Sequence, residues 1–347
     1  MRQTRTTIAI ATALILILAA CRQDDTTTDR IRLLAHESFR DGVTDQTFAG
    51  FTAATGIEVE VIGAGDAGSM VNQAVLTKDN PLADVLFGVD DTFLSRALDN
   101  GIFVAHEAEG IDTVDPALLH QDRLVTPIDF GDVCINFDKE WFEDSGIGVP
   151  TTLDDLRDPE IASLLVVLHP ATSSPGLAFL LATIDEYGEE GWHDFWSDLH
   201  AGGVEVTSGW SEAYYSSFTR YDGERPLVVS YASSPPAEVM FAEEATEEAP
   251  TGVLTVGCYR QVEYAGVLAG TDHPEAAGML VDYMLSVEFQ EQIPESWFVF
   301  PVNADATLPQ VFATHTVLPP DPTRFDADHI SANRERWINE WITLLEG

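Results

Sequence analysis

Four short segments carry residue types that could do chemistry. The first, Gly63-Ala64-Gly65-Asp66-Ala67-Gly68, fits G-x-G-x-x-G, follows a strand-like run and opens a helical one. Asp90 lies about 20 residues on, as in a dinucleotide-binding turn. Asp66, however, would set a carboxylate in a loop that must cradle a pyrophosphate, and the segment follows the second strand rather than the first. It reads better as a turn presenting Asp66 to a cleft, or as a plain turn. The second segment, Thr172-Ser173-Ser174-Pro175-Gly176, sets hydroxyls ahead of a Pro at a first helical position. Free N–H groups and a positive dipole end there suit an oxygen or a phosphate, and a capping motif alone is the other reading. The third, Gly209-Trp210-Ser211-Glu212-Ala213-Tyr214-Tyr215, gathers aromatics at a helix start. The fourth, Ser230-Tyr231-Ala232-Ser233-Ser234-Pro235, puts a Tyr and hydroxyls just past a strand. Ligands of α/β proteins sit beyond the carboxyl ends of strands, where all four segments fall. Core packing explains any one aromatic, and explains the shared placement less well.

The elements that must position these residues alternate. Residues 31–35, 58–62 and 84–87 read as strands, with helices over 45–55, 69–77 and 92–99. A second series follows: strands 165–168, 204–206 and 227–230, helices 176–187 and 191–201, and a helix from Ser211. The short apolar strands suit a parallel sheet covered on both faces. Two longer strand-like stretches, 125–137 and 253–268, lead out of the first series and back after the second. The expected fold is therefore α/β with two lobes, joined by a hinge of two crossover strands, with a ligand cleft between them. The expected boundaries are 31–128 with 262–320 for lobe 1, 129–261 for lobe 2, and 321–347 for a C-terminal helix. In that helix Ile330, Arg334, Trp337, Trp341 and Leu345 fall on one face and read as a core stripe.

Composition narrows the function classes. The 347 residues carry 17 Lys+Arg against 58 Asp+Glu, a net charge of −41, with 45% hydrophobic and 10% aromatic residues. That apolar share builds a real core and excludes a disordered acidic tail. With two lysines, Lys78 and Lys139, and no basic cluster, the surface repels phosphate backbones and excludes nucleic acid as a partner. Arg2 and Arg5 precede an apolar stretch over 8–20, too short to span a ~30 Å hydrocarbon core and fitting a signal peptide. It ends in Leu18-Ala19-Ala20-Cys21. That ending resembles a lipobox, in which Cys21 takes the lipid and residues 1–20 are removed; residues 21–30 then read as a polar tether. The expected location is the outer face of the cytoplasmic membrane or the periplasm, lipid-anchored, where no NAD pool exists. In such an oxidising space Cys134 and Cys258 favour a disulfide over two separately buried thiols. No Cys/His spacing suggests a metal, and no cofactor is expected.

The ordered segments HESF (36–39), ADVLFGVDD (83–91), PIDFGD (127–132), HPATSSPGL (169–177), GWSEAYYSSF (209–218), SYASSP (230–235), IPESWFVFPV (293–302) and RERWINEW (334–341) resemble the thiamine-binding proteins of ABC importers, within the wider family of periplasmic solute-binding proteins. The resemblance spans roughly residues 31–345. It implies two lobes closing over thiamine or its phosphates, delivery to a membrane permease, a monomer and no catalysis. The thiazolium is a permanent cation, best held by a carboxylate and by aromatic faces, where cation–π contacts contribute ~1–2 kcal/mol when desolvated. By resemblance Asp66 faces that cation, Trp210 and Tyr231 supply rings, and Ser173 and Ser174 hold the hydroxyethyl or phosphate end. His36 stands where the family usually has Tyr, and Ala237 or its neighbours replace a second Tyr. Trp297 is shifted by one, with Phe298 at the family's Trp position. Asp90 and Tyr214 complete the expected ligand set.

Rival readings remain. A ferric-iron receptor of the same fold would use paired tyrosines, which Tyr214-Tyr215 invites. A polyamine receptor would use Asp90 and Asp91 with aromatics. A secreted hydrolase is poorly matched, because Gly209-Trp210-Ser211-Glu212-Ala213 lacks the second Gly of G-x-S-x-G.

Overall fold

The computed structural model describes residues 28–120, 123–242 and 246–347. The expected leader, Cys21 and most of the tether lie outside the described residues. Within them ten strands form one sheet: β1 (Arg30–Ala35), β2 (Glu58–Gly63), β3 (Val85–Asp90), β4 (Phe103–Val104), β5 (Thr126–Asp138), β6 (Leu165–Leu168), β7 (Glu205–Thr207), β8 (Leu227–Tyr231), β9 (Thr251–Leu268) and β10 (Phe300–Pro301). Their order is β2-β1-β3-β9-β5-β8-β6-β7, with β4 on β9 and β10 on β5. β1 pairs in parallel with β2 and β3, and β6 in parallel with β7 and β8. Strands buried on both faces need unbroken apolar runs, and both β3 and β6 are buried at every position.

Between the two parallel groups run β5 and β9, antiparallel to each other from Thr126↔Ala265 to Asp138↔Thr251. Their ladder shifts register between Val133 and Ile135, and there Cys134 is disulfide-bonded to Cys258. The two strands expected as crossovers are thus paired along their length and covalently joined, as the leftover thiols suggested.

The helices follow local signals, with informative differences. Residues 174–202 form one helical run broken at Gly188 (φ 71°), the point at which the sequence divides into two helices. The helix expected over 45–55 starts only at Ala49, because the Thr47 hydroxyl accepts from Thr44 N–H and closes a turn first. The helix expected from Ser211 is a single turn, Trp210–Glu212, followed by a π-turn over Ala213–Ser217. The C-terminal helix spans Ala327–Glu346 and begins later than the expected boundary at residue 321, since the Asp326 carboxylate accepts from Asp328 N–H as its cap. Ile330, Arg334, Trp337 and Trp341 are buried on it. It packs against Asp91–Asp99 on the β1–β3 side and against Ser174–Gly202 on the β6–β8 side, so it touches both halves.

Candidate functional site

Parallel strands aim their carboxyl ends in one direction, so the residues that follow them gather there. Residues following β1, β2, β6 and β7, and Tyr231 at the end of β8, converge with β5 and β9 on a cavity of about 470 Å³, a size suited to a small organic ligand. Seven of the ten expected ligand residues line it: His36, Asp66, Ser174, Trp210, Tyr231, Trp297 and Phe298.

Asp66 joins the two halves. It is the N-cap of helix Ala67–Leu76 and accepts from Ala67 N–H at 2.6 Å, while its other oxygen accepts from Trp210 N–H at 2.9 Å, across the cavity. Gly65 (φ 73°) supplies the left-handed turn before it. Gly68 is needed for close approach: its N–H donates to Thr172 O at 2.9 Å, and a Cβ there would meet Ala171 O at 2.8 Å. The G-x-G-x-x-G glycines therefore serve a turn and a contact between halves. The first N–H groups of that helix are taken by Asp66 and Thr172, which leaves no pyrophosphate cradle.

The aromatic wall is built in layers. Trp210 donates its indole N–H to Ser230 Oγ at 2.9 Å and stacks on Tyr214 at 4.8 Å between ring centroids. Tyr214 is buried and donates its hydroxyl to Glu238, so it backs Trp210 and does not line the cavity. Tyr231 donates to Gln261 Oε1, and Gln261 Nε2 donates to Ser174 Oγ at 3.2 Å. Trp297 stacks on Phe39 at 4.5 Å and donates to Phe39 O. Phe298 holds a left-handed backbone (φ 61°), a conformation that costs a non-glycine residue about 1 kcal/mol, and meets Phe241 of the other half edge-on at 5.4 Å.

Ser173 and Asp90 join Tyr214 outside the lining. Ser173 is fully buried one residue before the helix start. Asp90 is fully buried as N-cap of helix Asp91–Asp99, where Thr92 Oγ1–H and Phe93 N–H donate to it. A short acidic residue before a helix is drawn to its cap, and that local role displaces the ligand role.

Asp129, Glu263 and Tyr215 complete the site; sequence reading missed the first two and named Tyr215 only in an aromatic cluster and a rival iron pair. Asp129 on β5 and Glu263 on β9 are direct cross-strand partners, and both line the cavity. Asp90 on β3 is the partner of Glu263 on the other side, so three carboxylates stand in one row across three strands. Burial and the neighbouring carboxylates push both Asp90 and Asp129 well up from the ordinary carboxylate value, so the row holds protons and does not carry three like charges. Tyr215 faces the cavity beside Trp210. One signal was available: Glu263 is the lone charge in the run Val262-Glu263-Tyr264-Ala265-Gly266-Val267-Leu268.

Electrostatics follow from burial. His36 caps helix Glu37–Gly42 by accepting from Phe39 N–H at Nδ1, which assigns its proton to Nε2, 3.4 Å from Glu263 Oε1. Burial pulls its pKa down, but Glu263 and Asp66 together hold it above the usual 6.5. Burial raises Asp66 despite the opposing His36 charge, and raises Asp129 well above the carboxylate range with help from Glu263. Asp91, beside this row, is pushed up to about 6 by burial. Groups whose folded pKa is raised stabilise the fold below their unfolded pKa, and that stabilisation is lost as pH rises through the folded value. The ligand-free protein is therefore expected to melt at a higher temperature at pH 5 than at pH 8, measured by calorimetry. A cation entering the cavity favours the ionised carboxylates, so binding should release protons, and titrations in buffers of different ionisation enthalpy should detect them.

The sequence profile described as bacterial extracellular solute-binding protein matches residues 80–326. The chain is 32% identical over 292 residues to the thiamine-binding periplasmic protein of Escherichia coli (strain K12), covering 84% of this chain and 85% of that one. It is 29% identical over 319 residues to the protein of the same name from Brucella abortus biovar 1 (strain 9-941), covering 90% and 91%. A solved periplasmic thiamin binding protein superposes with a TM-score of 0.81 at 27% identity, covering 92% of this chain and 96% of that one. The two-lobed fold read from the sequence is the fold of these neighbours. The protein belongs to the bacterial extracellular solute-binding protein family.

Proposed function

We propose that this protein captures thiamine outside the cytoplasm and delivers it to the permease of an ABC importer, without catalysis. One observation carries the reading: the half-buried Asp66 carboxylate and the Trp210 ring line the same cavity, and the carboxylate accepts the Trp210 backbone N–H at 2.9 Å. A carboxylate facing π-rich walls suits a permanently cationic ring. The names of the relatives support thiamine as that cation.

In this reading lobe 1 comprises 31–128 and 262–320, lobe 2 comprises 129–261, and 321–347 bridges them. Support comes from the two parallel strand groups on either side of β5 and β9, and from the C-terminal helix packed on both. Asp66 to Trp210, Gly68 to Thr172 and Phe298 to Phe241 are then contacts of the closed trap. Cys21 anchors the mature chain by a lipid at the membrane's outer face, and the chain works as a monomer.

Thermal shift tests the reading. Thiamine at a hundredfold its dissociation constant is expected to stabilise the protein by ~2.7 kcal/mol, a rise of several degrees. No shift with millimolar thiamine would end the assignment. The carboxylate row favours a polyamine as second reading, and a larger shift with spermidine would select it.

A further inference from the structure

Resting on that reading, we infer that Glu238, outside the cavity, is a positioning residue whose carboxyl oxygen sets the Trp210 and Tyr215 rings that face the ligand. Both rings line the cavity, whereas Glu238 is buried behind them and does not. A buried carboxyl is costly unless it is hydrogen-bonded, so its partners show what it serves. The partners are two phenols: Tyr214 donates to Glu238 Oε1 at 2.6 Å, and Tyr221 donates to the same oxygen at 3.2 Å. Each phenol in turn abuts one ring of the cavity wall. Tyr214 stacks on Trp210 with 16° between their planes, and Tyr221 meets Tyr215 edge-on at 4.9 Å between centroids. One oxygen thus holds two rings, and those two back the two that the ligand meets.

The local backbone makes such a remote tie useful. Tyr214 and Tyr215 belong to the π-turn Ala213–Ser217, an irregular helical turn of the kind that recurs at functional sites. Trp210 has a second support from the element that carries Glu238. Its indole N–H donates to Ser230 Oγ, which lies 3.0 Å from Ser234 Oγ, and Ser234 and Glu238 stand one turn apart on helix Ser234–Met240. That helix therefore holds the indole by its edge through Ser230 and by its face through Tyr214. Burial raises the Glu238 carboxyl above its ordinary value, opposed by the Tyr214 and Tyr221 hydroxyls. Protonated or ionised, it keeps an oxygen that accepts, so its geometry carries the role and its charge does not. An apolar side chain there would leave both hydroxyls without their acceptor and free the Tyr214 ring to tilt. A cation–π contact needs the ring face turned to the cation, so a tilt passed on to Trp210 is read as lost affinity.

The test is calorimetric titration of the full mature chain with thiamine, repeated on Glu238→Gln, Glu238→Leu and Tyr214→Phe, each checked for a cooperative melting transition. Glu238→Gln keeps an accepting oxygen and should bind within about threefold of wild type. Glu238→Leu removes that oxygen and should bind about tenfold more weakly, the scale of one aromatic contact to a desolvated cation. Tyr214→Phe keeps the stacked ring without its tie and should lose about fivefold, which carries the test if Glu238→Leu does not fold. Added to Trp210→Leu, the same Glu238→Leu change should cost only about threefold or less, because the main ring through which it acts is gone. Equal losses in Glu238→Gln and Glu238→Leu would overturn the inference, since charge at a distance would then be the source. A loss as large in the Trp210→Leu background as in wild type would also overturn it. So would lower melting temperatures with affinity within about twofold in every folded variant, which would leave Glu238 a prop of the fold alone. Absence of binding by the wild type would instead overturn the thiamine reading itself, a result visible before any variant is made.

Discussion

Replacing Asp66 by Asn is expected to weaken thiamine binding by about 100-fold, with much smaller loss for a neutral ligand of the same shape. Two unit charges 4 Å apart interact by ~4 kcal/mol at an effective dielectric of 20, about a thousandfold in affinity, before desolvation offsets part of it. The variant also disturbs the hydrogen bond between residue 66 and Trp210. The carboxylate accepts from both Ala67 N–H and Trp210 N–H, and the amide of Asn offers one oxygen for these two donors. Part of the loss should therefore be common to every ligand, and the excess loss for thiamine isolates the charge. Isothermal titration reads both. Affinity within threefold of wild type would show that Asp66 is not the counter-ion.

The second large effect concerns the hinge. Cys134→Ser with Cys258→Ser is expected to lower stability by ~3–5 kcal/mol, because the bond closes a loop with a sequence separation of 124. At ~2–4 °C per kcal/mol for a chain of this order, the melting temperature should fall by about 10 °C. Affinity for thiamine should change little, since neither cysteine lines the cavity and both are buried on the paired strands. A melting temperature within 2 °C of wild type would show that the pairing of β5 and β9 holds the hinge without its covalent tie.

Much of this architecture was legible because its signals are local and periodic. Short apolar runs gave β1 to β3 and β6 to β8, and two long runs gave the crossover pair. Asp66, Trp210 and Tyr231 were legible because they follow strands, and parallel strands deliver such residues to one place. The residues that fell outside the cavity share a cause. Asp90 caps a helix, Tyr214 backs Trp210, and Ser173 is buried behind Ser174, all contacts that spacing along the chain does not encode. Asp129 and Glu263 were missed for the converse reason. Their meaning lies in a register between strands more than 130 residues apart in sequence, which brings β3, β9 and β5 side by side. Phe241 likewise gains its place only from its edge-on contact with Phe298, 57 residues away in sequence.

The charge of the ligand ring is the point on which the whole account turns, and one paired titration reads it. Thiamine is compared with an analogue of equal shape in which the thiazolium nitrogen is replaced by carbon, so that the ring is neutral. The account predicts that thiamine binds about 100-fold more tightly to the wild type and that Asp66→Asn removes most of this difference. Equal affinities for the charged and neutral rings would contradict it, because the carboxylate-lined, aromatic cavity would then be recognising shape alone.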